Sequence, residues 1–303
     1  FVAGGTAGPV IANRLTENPR ISVLLIEAGP NNEGVLNMQV PAFSGRLTNT
    51  QYDWNFTTVP QVGLNGRSLA YARGHVLGGS SSINGMAFTR GSADDYDRWA
   101  KVTGDIGWSW NGLQTYLRKN ERFVPPVDNH NTTGEFDPRA HGYNGVNFVS
   151  LGSYPGSVDG RVIQTTVDLK QEFPFNLDMN DGAPLGVGFI QSTIGNGERS
   201  SAARSYLAAN YRQRPNLHIL TDTSVTQLFS TGLRPDFRVV EVASTSTGPR
   251  TRFTATKEVI LSAGAVGTPQ ILLNSGIGDK SELAQVGVKS VVHLPDVGKN
   301  LID

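Results

Sequence analysis

FVAGGTAGPVIANRLTENPRISVLLIEAG, residues 1–29, decides the fold. A strand tail enters a glycine turn, and a short helix is expected over 8–17. Residues 21–26 then form a nearly continuous apolar run, as in a strand buried on both faces of a parallel sheet. The run ends in a carboxylate, Glu27. Strand, glycine turn, helix, strand and acid in this order make the front half of a nucleotide-binding βαβ unit. Gly5 lets bare backbone approach a pyrophosphate, Gly8 lets helix and strand pack closely, and the helix N-terminus faces the phosphate charge. Glu27 stands about twenty residues on, where an acid accepts both hydroxyls of an adenosine ribose. Ala3 replaces the first glycine of the usual fingerprint. An ordinary strand–turn–helix corner can carry the same glycines, so specificity must come from elsewhere in the chain.

Two further stretches supply it. RGHVLGGSSSIN, residues 73–84, joins a bare turn at Gly78 and Gly79 to a run of hydroxyl donors. Such a turn can cradle phosphate with its N–H groups, although Gly/Ser loops also occur with no ligand. SAGAVGTPQILLNSGIG, residues 262–278, reads as a strand end followed by a helix. Pro269 is expected in the first helical turn, where its missing N–H costs nothing, and Gly276 is expected to end the helix. Ligands bind outside the carboxyl ends of parallel strands, so this corner either completes the site or is a third strand–helix turn without a ligand.

Composition sets loose bounds. The 303 residues suit one large or two ordinary domains. Lys and Arg number 26, as do Asp and Glu, so nothing points to a nucleic-acid partner. There is no cysteine, which excludes thiol catalysis, thiolate metal sites and disulfides in this region. No apolar run approaches the eighteen residues of a membrane span. Sequons at Asn55 and Asn131 suit glycosylation in a secretory pathway. The chain lacks an initiator methionine, and 296–303 read as loop, so a longer protein is expected and a missing signal peptide carries no information. Two helices are expected within 94–120, capped by Ser92 or Asp94 and by Ser109 or Asn111. A strand is expected at 147–151, a helix within 162–173, and strands through 217–229, 237–243 and 251–262.

The three motifs together resemble the glucose–methanol–choline (GMC) FAD oxidoreductases. AGGTAG at 3–8 is similar to the family's FAD fingerprint, 73–84 to its first signature and 264–278 to its second. LNGRSLAYARG before the first signature, NGERSSAARSYL at 196–207 and YDWNFTTVPQ at 52–61 follow the family too, so the likeness covers essentially the whole chain. Among its members the chain most resembles fungal aryl-alcohol oxidases and pyranose dehydrogenases. VPPVDNHNTTGEFDPRAHG at 124–142 is particularly like the aryl-alcohol group.

The resemblance implies an α/β fold, a Rossmann-like FAD-binding domain of the GMC type with part of a second, α+β substrate domain. The expected spans are 1–140 for the FAD domain, 141–195 for the substrate domain and 196–303 for a return to the FAD domain. It implies hydride transfer from an alcohol to FAD, with oxygen or a quinone as electron acceptor and no nucleic-acid or membrane partner. An aryl alcohol is the first substrate expectation and a pyranose the alternative. Gly85 stands where aryl-alcohol oxidases place an aromatic, which keeps sugars open. Residue by residue, Gly5, Thr6, Ala7 and Gly8 are expected at the pyrophosphate, with Ala3 as the departure, and Glu27 at the ribose. Arg73, Gly78, Gly79 and Ser80 are expected to support phosphate and flavin, Asn84, Gly85 and Met86 to lie near the isoalloxazine, and the Val225 backbone to meet adenine. Ile83 occupies the place where some members attach FAD to histidine, so a non-covalent flavin is expected.

The family's catalytic histidine pair lies far toward the C-terminus and matches no position here, so residues 1–303 alone are expected to be inactive. His75 is a possible cofactor contact; His130 and His141 are expected to be structural or surface groups, and His218 and His293 to lie on strands. No metal site is expected. Trp99, Trp108, Trp110 and Tyr116 are expected to pack helices. Two other classes remain open: a truncated, non-catalytic binding protein and an NAD-dependent dehydrogenase. The two long signatures disfavour the latter.

Overall fold

The computed structural model describes residues 4–154, 156–232 and 235–302. Ala3 and the expected first-strand tail lie outside the described residues. The chain divides into two compact units. The first gathers Phe1–Met38, Gly45–Asn84 and Ala202–Asp303; the second holds Gln39–Ser44 and Gly85–Ser201. Residues 85–140 therefore pack with 141–201, and the unit breaks fall at 84/85 and 201/202 instead of 140/141 and 195/196. The reason is strand pairing. Glu121–Phe123 runs parallel to Asn147–Leu151, with Phe123 opposite Val149, and His141 reaches back to Glu121.

In the first unit, Val23–Ile26 pairs in parallel with Leu217–Leu220, Val23 opposite Leu217 and Ile26 opposite Leu220. Alternate side chains leave a strand on opposite faces. Val23 and Leu25 join Ala12, Leu77, Ala203, Leu207 and Leu217 in one cluster. Ile26 faces the other way, toward Leu228, Val240, Val242 and Ile271, and Leu24 packs there too. The helices Ala7–Leu15 and Ala202–Tyr206 supply the first layer. The second comes from the antiparallel meander Ser224–Phe229, Val239–Ala243 and Thr251–Thr254, with the helix Gly264–Asn274. Coverage on both faces is why 21–26 lacks a polar alternation. Burying each such aliphatic side chain is worth about 1.5–3 kcal/mol.

Three local expectations shift. The Ala7–Leu15 helix stops short of residue 17, where the Thr16 hydroxyl donates to the Ala12 carbonyl at 2.8 Å. Pro269 sits in the helix interior, not its first turn. The helix begins earlier because Gly264, at φ +77°, already turns the chain. With no proline N–H, the Ala265 carbonyl lacks its intrahelical donor. Finally, of the strand expected through 251–262, Thr251–Thr254 forms a ladder and Leu261 a single bridge among the described residues. Val259 and Leu261 still pack beside Ile26.

The second unit is built on a four-stranded sheet in the order Ala87–Phe88, Gln191–Ser192, Asn147–Leu151, Glu121–Phe123. The expected helices are Ala93–Thr103 and Trp110–Asn120, capped by the Ser92 and Ser109 hydroxyls. The helix expected within 162–173 runs Asp159–Asp168. Trp99, Trp108 and Trp110 meet Tyr96 or one another edge-on or tilted at 5.6–6.3 Å, whereas Tyr116, expected to pack with them, is exposed. Next to the apolar cluster of Phe123, Val149 and Leu151 lies a buried charge network. His141 binds Glu121 through Nδ1 at 2.6 Å and Asp178 through Nε2 at 2.7 Å. Arg90 pairs with the second oxygen of Glu121, which also accepts the Gly142 amide at 3.0 Å. Burial opposes the His141 charge, but the bonds to Asp178 and Glu121 outweigh it and hold its pKa above the usual 6.5. Burial likewise works to raise the Asp178 carboxyl, yet the His141 bond and the Asn180 amide bring it below its usual value.

Removing one member of such a network strands buried charge. His141→Ala should cost about 3–5 kcal/mol of stability, measured by urea unfolding. The folded pKa of His141 is raised, so its stabilisation is complete below pH 6.5 and is lost as pH rises through the folded value. An alanine variant as stable as the parent at pH 6 would contradict this role.

Candidate functional site

A cavity of about 1080 Å³ opens in the first unit where the glycine turn, the first signature and the 262–267 corner meet. Its floor is bare backbone. Gly79 adopts φ +53°, and a Cβ on it would stand 2.7 Å from the Gly5 Cα. A side chain at Gly79 would push the two segments apart. On the other side, a Cβ on Gly5 would lie 3.6 Å from the Ser262 carbonyl. Thr6 is the N-cap of the Ala7–Leu15 helix and makes no side-chain capping bond. Thr6 and Ala7 both line the cavity. The first N–H groups of a helix lack intrahelical partners, so donors and the positive end of the helix dipole meet the cavity, as an anion requires.

Glu27 follows along the wall. It is 4% exposed, and its Oε1 accepts the Gly29 amide at 2.9 Å. Burial pushes its pKa up to about 7, with Asp222 adding to the push, while the Gly29, Gly4 and Ala28 amides hold it back. A buried acid stabilised only by amides suits a ligand that donates hydroxyls to it. The Thr223 amide donates to the Glu27 carbonyl at 3.0 Å, which leads the wall on through Ser224 and Val225. Trp54 and Phe56, stacked at 5.7 Å, line the cavity too, together with Arg73. Asp53 fixes this side. Its Oδ1 accepts the Asn55 and Arg73 amides and its Oδ2 the Asn49 amide, at 3.0–3.1 Å. Burial works to raise its pKa, but those amides bring it below the usual carboxylate value.

Of the residues expected at the cofactor, Gly5, Thr6, Ala7, Glu27, Arg73, Gly79, Ser80 and Val225 line this one cavity. Ala3 lies outside the described residues. Gly8 is buried in its helix and Gly78 lies behind the wall, and neither lines the cavity. Gly78, at φ +90°, donates its amide to the Gly4 carbonyl at 2.6 Å, and a Cβ there would meet Ser82 and Ala203. Asn84 donates its amide to Ser80 and does not line the cavity either. Gly85 and Met86 belong to the second unit, where the Met86 carbonyl accepts the Thr193 amide at 2.8 Å. The 262–267 corner does line the cavity. His75 does not; its Nδ1 faces the Gln51 carbonyl at 3.1 Å and its ring packs on Trp54. His130 lies between Asp128 and Glu135 in the second unit. Sequence reading missed Asp53, Trp54 and Glu241; the first two sit in the 52–61 stretch that follows the family pattern. Among the described residues, no group of three His, Asp or Glu is placed to hold a metal.

The fold and cavity define a dinucleotide-binding α/β unit whose floor, helix terminus and buried acid fit FAD. The GMC oxidoreductase family model matches residues 1–303, and the chain belongs to that family. It is 47% identical over 302 residues to pyranose dehydrogenase 3 of Leucoagaricus meleagris, a match spanning 99% of this chain and 50% of that protein. The pyranose dehydrogenase of Agaricus campestris is likewise 47% identical over 301 residues, 99% of this chain and 50% of its own. The chain thus spans about half the length of these relatives. Among solved structures, an FAD-dependent oxidoreductase from Chaetomium thermophilum superposes with a TM-score of 0.88 at 35% identity, over 97% of this chain and 50% of that one. A fungal aryl-alcohol oxidase gives 0.83 at 28%, over 98% and 50%.

The Glu27 pKa sets a pH dependence. A ribose donating two hydroxyls favours the carboxylate. FAD affinity should therefore rise with pH by up to about tenfold per unit below 7 and level off above it. Without ligand the sign reverses. The folded pKa is raised, so the stability Glu27 lends is greatest below pH 4.5 and is lost as pH rises through about 7. Glu27→Gln should flatten both profiles and weaken FAD binding by about 1–3 kcal/mol, read by titrating flavin-stripped protein at pH 6, 7 and 8.

Proposed function

We propose that the protein oxidises the CH–OH group of a sugar, with FAD in the first unit and an external acceptor of the quinone class. The cofactor assignment is carried by one observation, the cavity in which the Gly5–Gly79 floor and buried Glu27 converge. Bound there, FAD would supply hydride acceptance from the alcohol carbon. The chain's own residues bind and orient it. The glycine turn and the Ala7–Leu15 terminus take the phosphates, Glu27 fixes the ribose, and Trp54 and Phe56 close an apolar side. No histidine stands among the lining residues, so we assign the proton-accepting base to none of the five.

A sugar is preferred to an aryl alcohol on two grounds. Four pyranose dehydrogenases match at 44–47% identity, against 28% for the aryl-alcohol oxidase structure. Gly85 also lacks the aromatic that the aryl-alcohol group places there. Non-covalent attachment is supported by Ile83, 7% exposed in the cluster of Met38, Leu47 and Val76, and by the absence of cysteine. Secretion is supported by the sequons at Asn55 and Asn131, both asparagines being exposed.

Acid precipitation of the yellow holoprotein should leave all flavin in the supernatant; flavin in the pellet with a modified peptide would refute non-covalent binding. The full-length protein should turn over pyranoses with a quinone faster than benzylic alcohols with either quinone or oxygen. Dye reduction and oxygen uptake followed together measure this. The reverse preference would restore the aryl-alcohol alternative.

A further inference from the structure

We propose that Glu241 reads the 6-amino group of the cofactor's purine and so selects adenine over a 6-oxo base. This rests on the FAD reading above. The Glu27 carbonyl accepts the Thr223 amide, and from there the strand Ser224–Phe229 carries the lining through Val225, Thr226 and Gln227, the last paired opposite Glu241. A dinucleotide with its phosphates at the turn and its ribose at Glu27 carries its base toward Glu241.

The local backbone is built for this. The ladder between Ser224–Phe229 and Val239–Ala243 breaks register between Val225 and Gln227, which leaves Thr226 as an extra residue. Such a bulge re-aims side chains next to a site. The Thr226 hydroxyl donates toward the Glu241 carbonyl at 3.3 Å and to its Oε1 at 3.1 Å. On the far side Arg252 grips Oε2, through Nε at 3.0 Å and an Nη at 2.9 Å. The Glu241 carboxylate is 13% exposed, while Arg252 is 55% exposed. Arg252 therefore holds Oε2 on the solvent side, and Oε1 stays with Thr226; Glu241 and Thr226 both line the cavity.

A carboxylate is an acceptor only, with about four lone-pair sites. Thr226 takes one on Oε1 and Arg252 takes those on Oε2, which leaves Oε1 able to accept once more. A 6-amino group donates there. A 6-oxo oxygen would face it acceptor to acceptor, and sites built around a specific polar group reject the analogue that leaves it unpaired.

The test uses full-length protein stripped of flavin and titrated with FAD, flavin hypoxanthine dinucleotide and FMN. Wild type should bind FAD about 10- to 100-fold more tightly than the 6-oxo dinucleotide. In Glu241→Gln, whose amide can donate to a 6-oxo oxygen, that ratio should shrink to less than about threefold, with FMN affinity unchanged. Equal affinities for the two dinucleotides in wild type would overturn the proposal without any variant, and so would an unchanged ratio in Glu241→Gln. Failure of the wild type to bind either FAD or FMN is a different result. It would remove the FAD reading itself, and this inference with it.

Discussion

Two backbones touch at Gly5 and Gly79 with nothing between them, and the site exists because of that contact. The glycine turn lies 72 residues before the Gly78 carbonyl that its neighbour Thr6 approaches. Neither segment could form a floor alone. Bringing them together costs loop-closure entropy. Leu77 offsets that cost: it is fully buried against Ala12, Val23 and Leu25. The core therefore draws the first signature onto the glycine turn, and the absence of side chains there leaves room for a ligand. Packing and binding are two sides of one short stretch, with Leu77 facing inward and Gly79 facing the cavity.

The two buried glutamates show how environment assigns roles. Glu121 has no side-chain exposure, as has its partner His141, and it also meets Arg90. It is fully compensated and holds the second unit together. Glu27 is almost as buried, yet amides are its main support and its pKa climbs to about 7. Perturbed acids in cavities mark functional sites more often than structural ones. In this chain the contrast is internal, since the same residue type is neutralised by neighbours in one unit and left for a ligand in the other.

Much of the first unit was legible because its signals are local. The turn, the helix and the apolar run occupy consecutive residues, and period-2 burial on both faces explains the run. The acid at Glu27 was legible by spacing. Asp53 was not, because it works by collecting amides from Asn49, Asn55 and Arg73, which no periodicity announces. Glu241 was hidden for a similar reason: a strand glutamate reads as a solvent-facing residue until a bulge re-aims its neighbour. The contact units depart from the spans that the resemblance implies, because no local signal marks the pairing of residues 121–123 with 147–149. The strand Glu121–Phe123 carries too few residues to signal that it pairs with Asn147–Leu151. Pro269 misled in the same way, since a proline's place in a helix depends on where the preceding glycine turns.

The pairing of Val23 with Leu217 also sets a clock on biogenesis. A ribosome adding about 5–20 residues per second makes the second strand roughly 10–40 s after the first. During that interval the edge of Val23–Ile26 that Leu217–Leu220 will cover waits for its partner, while the continuous 85–201 segment emerges and can complete its own sheet. The nascent protein thus carries a wholly apolar strand with that edge open behind a finished neighbour. Residence on a chaperone, and sensitivity to codon changes between positions 27 and 216, follow from that wait.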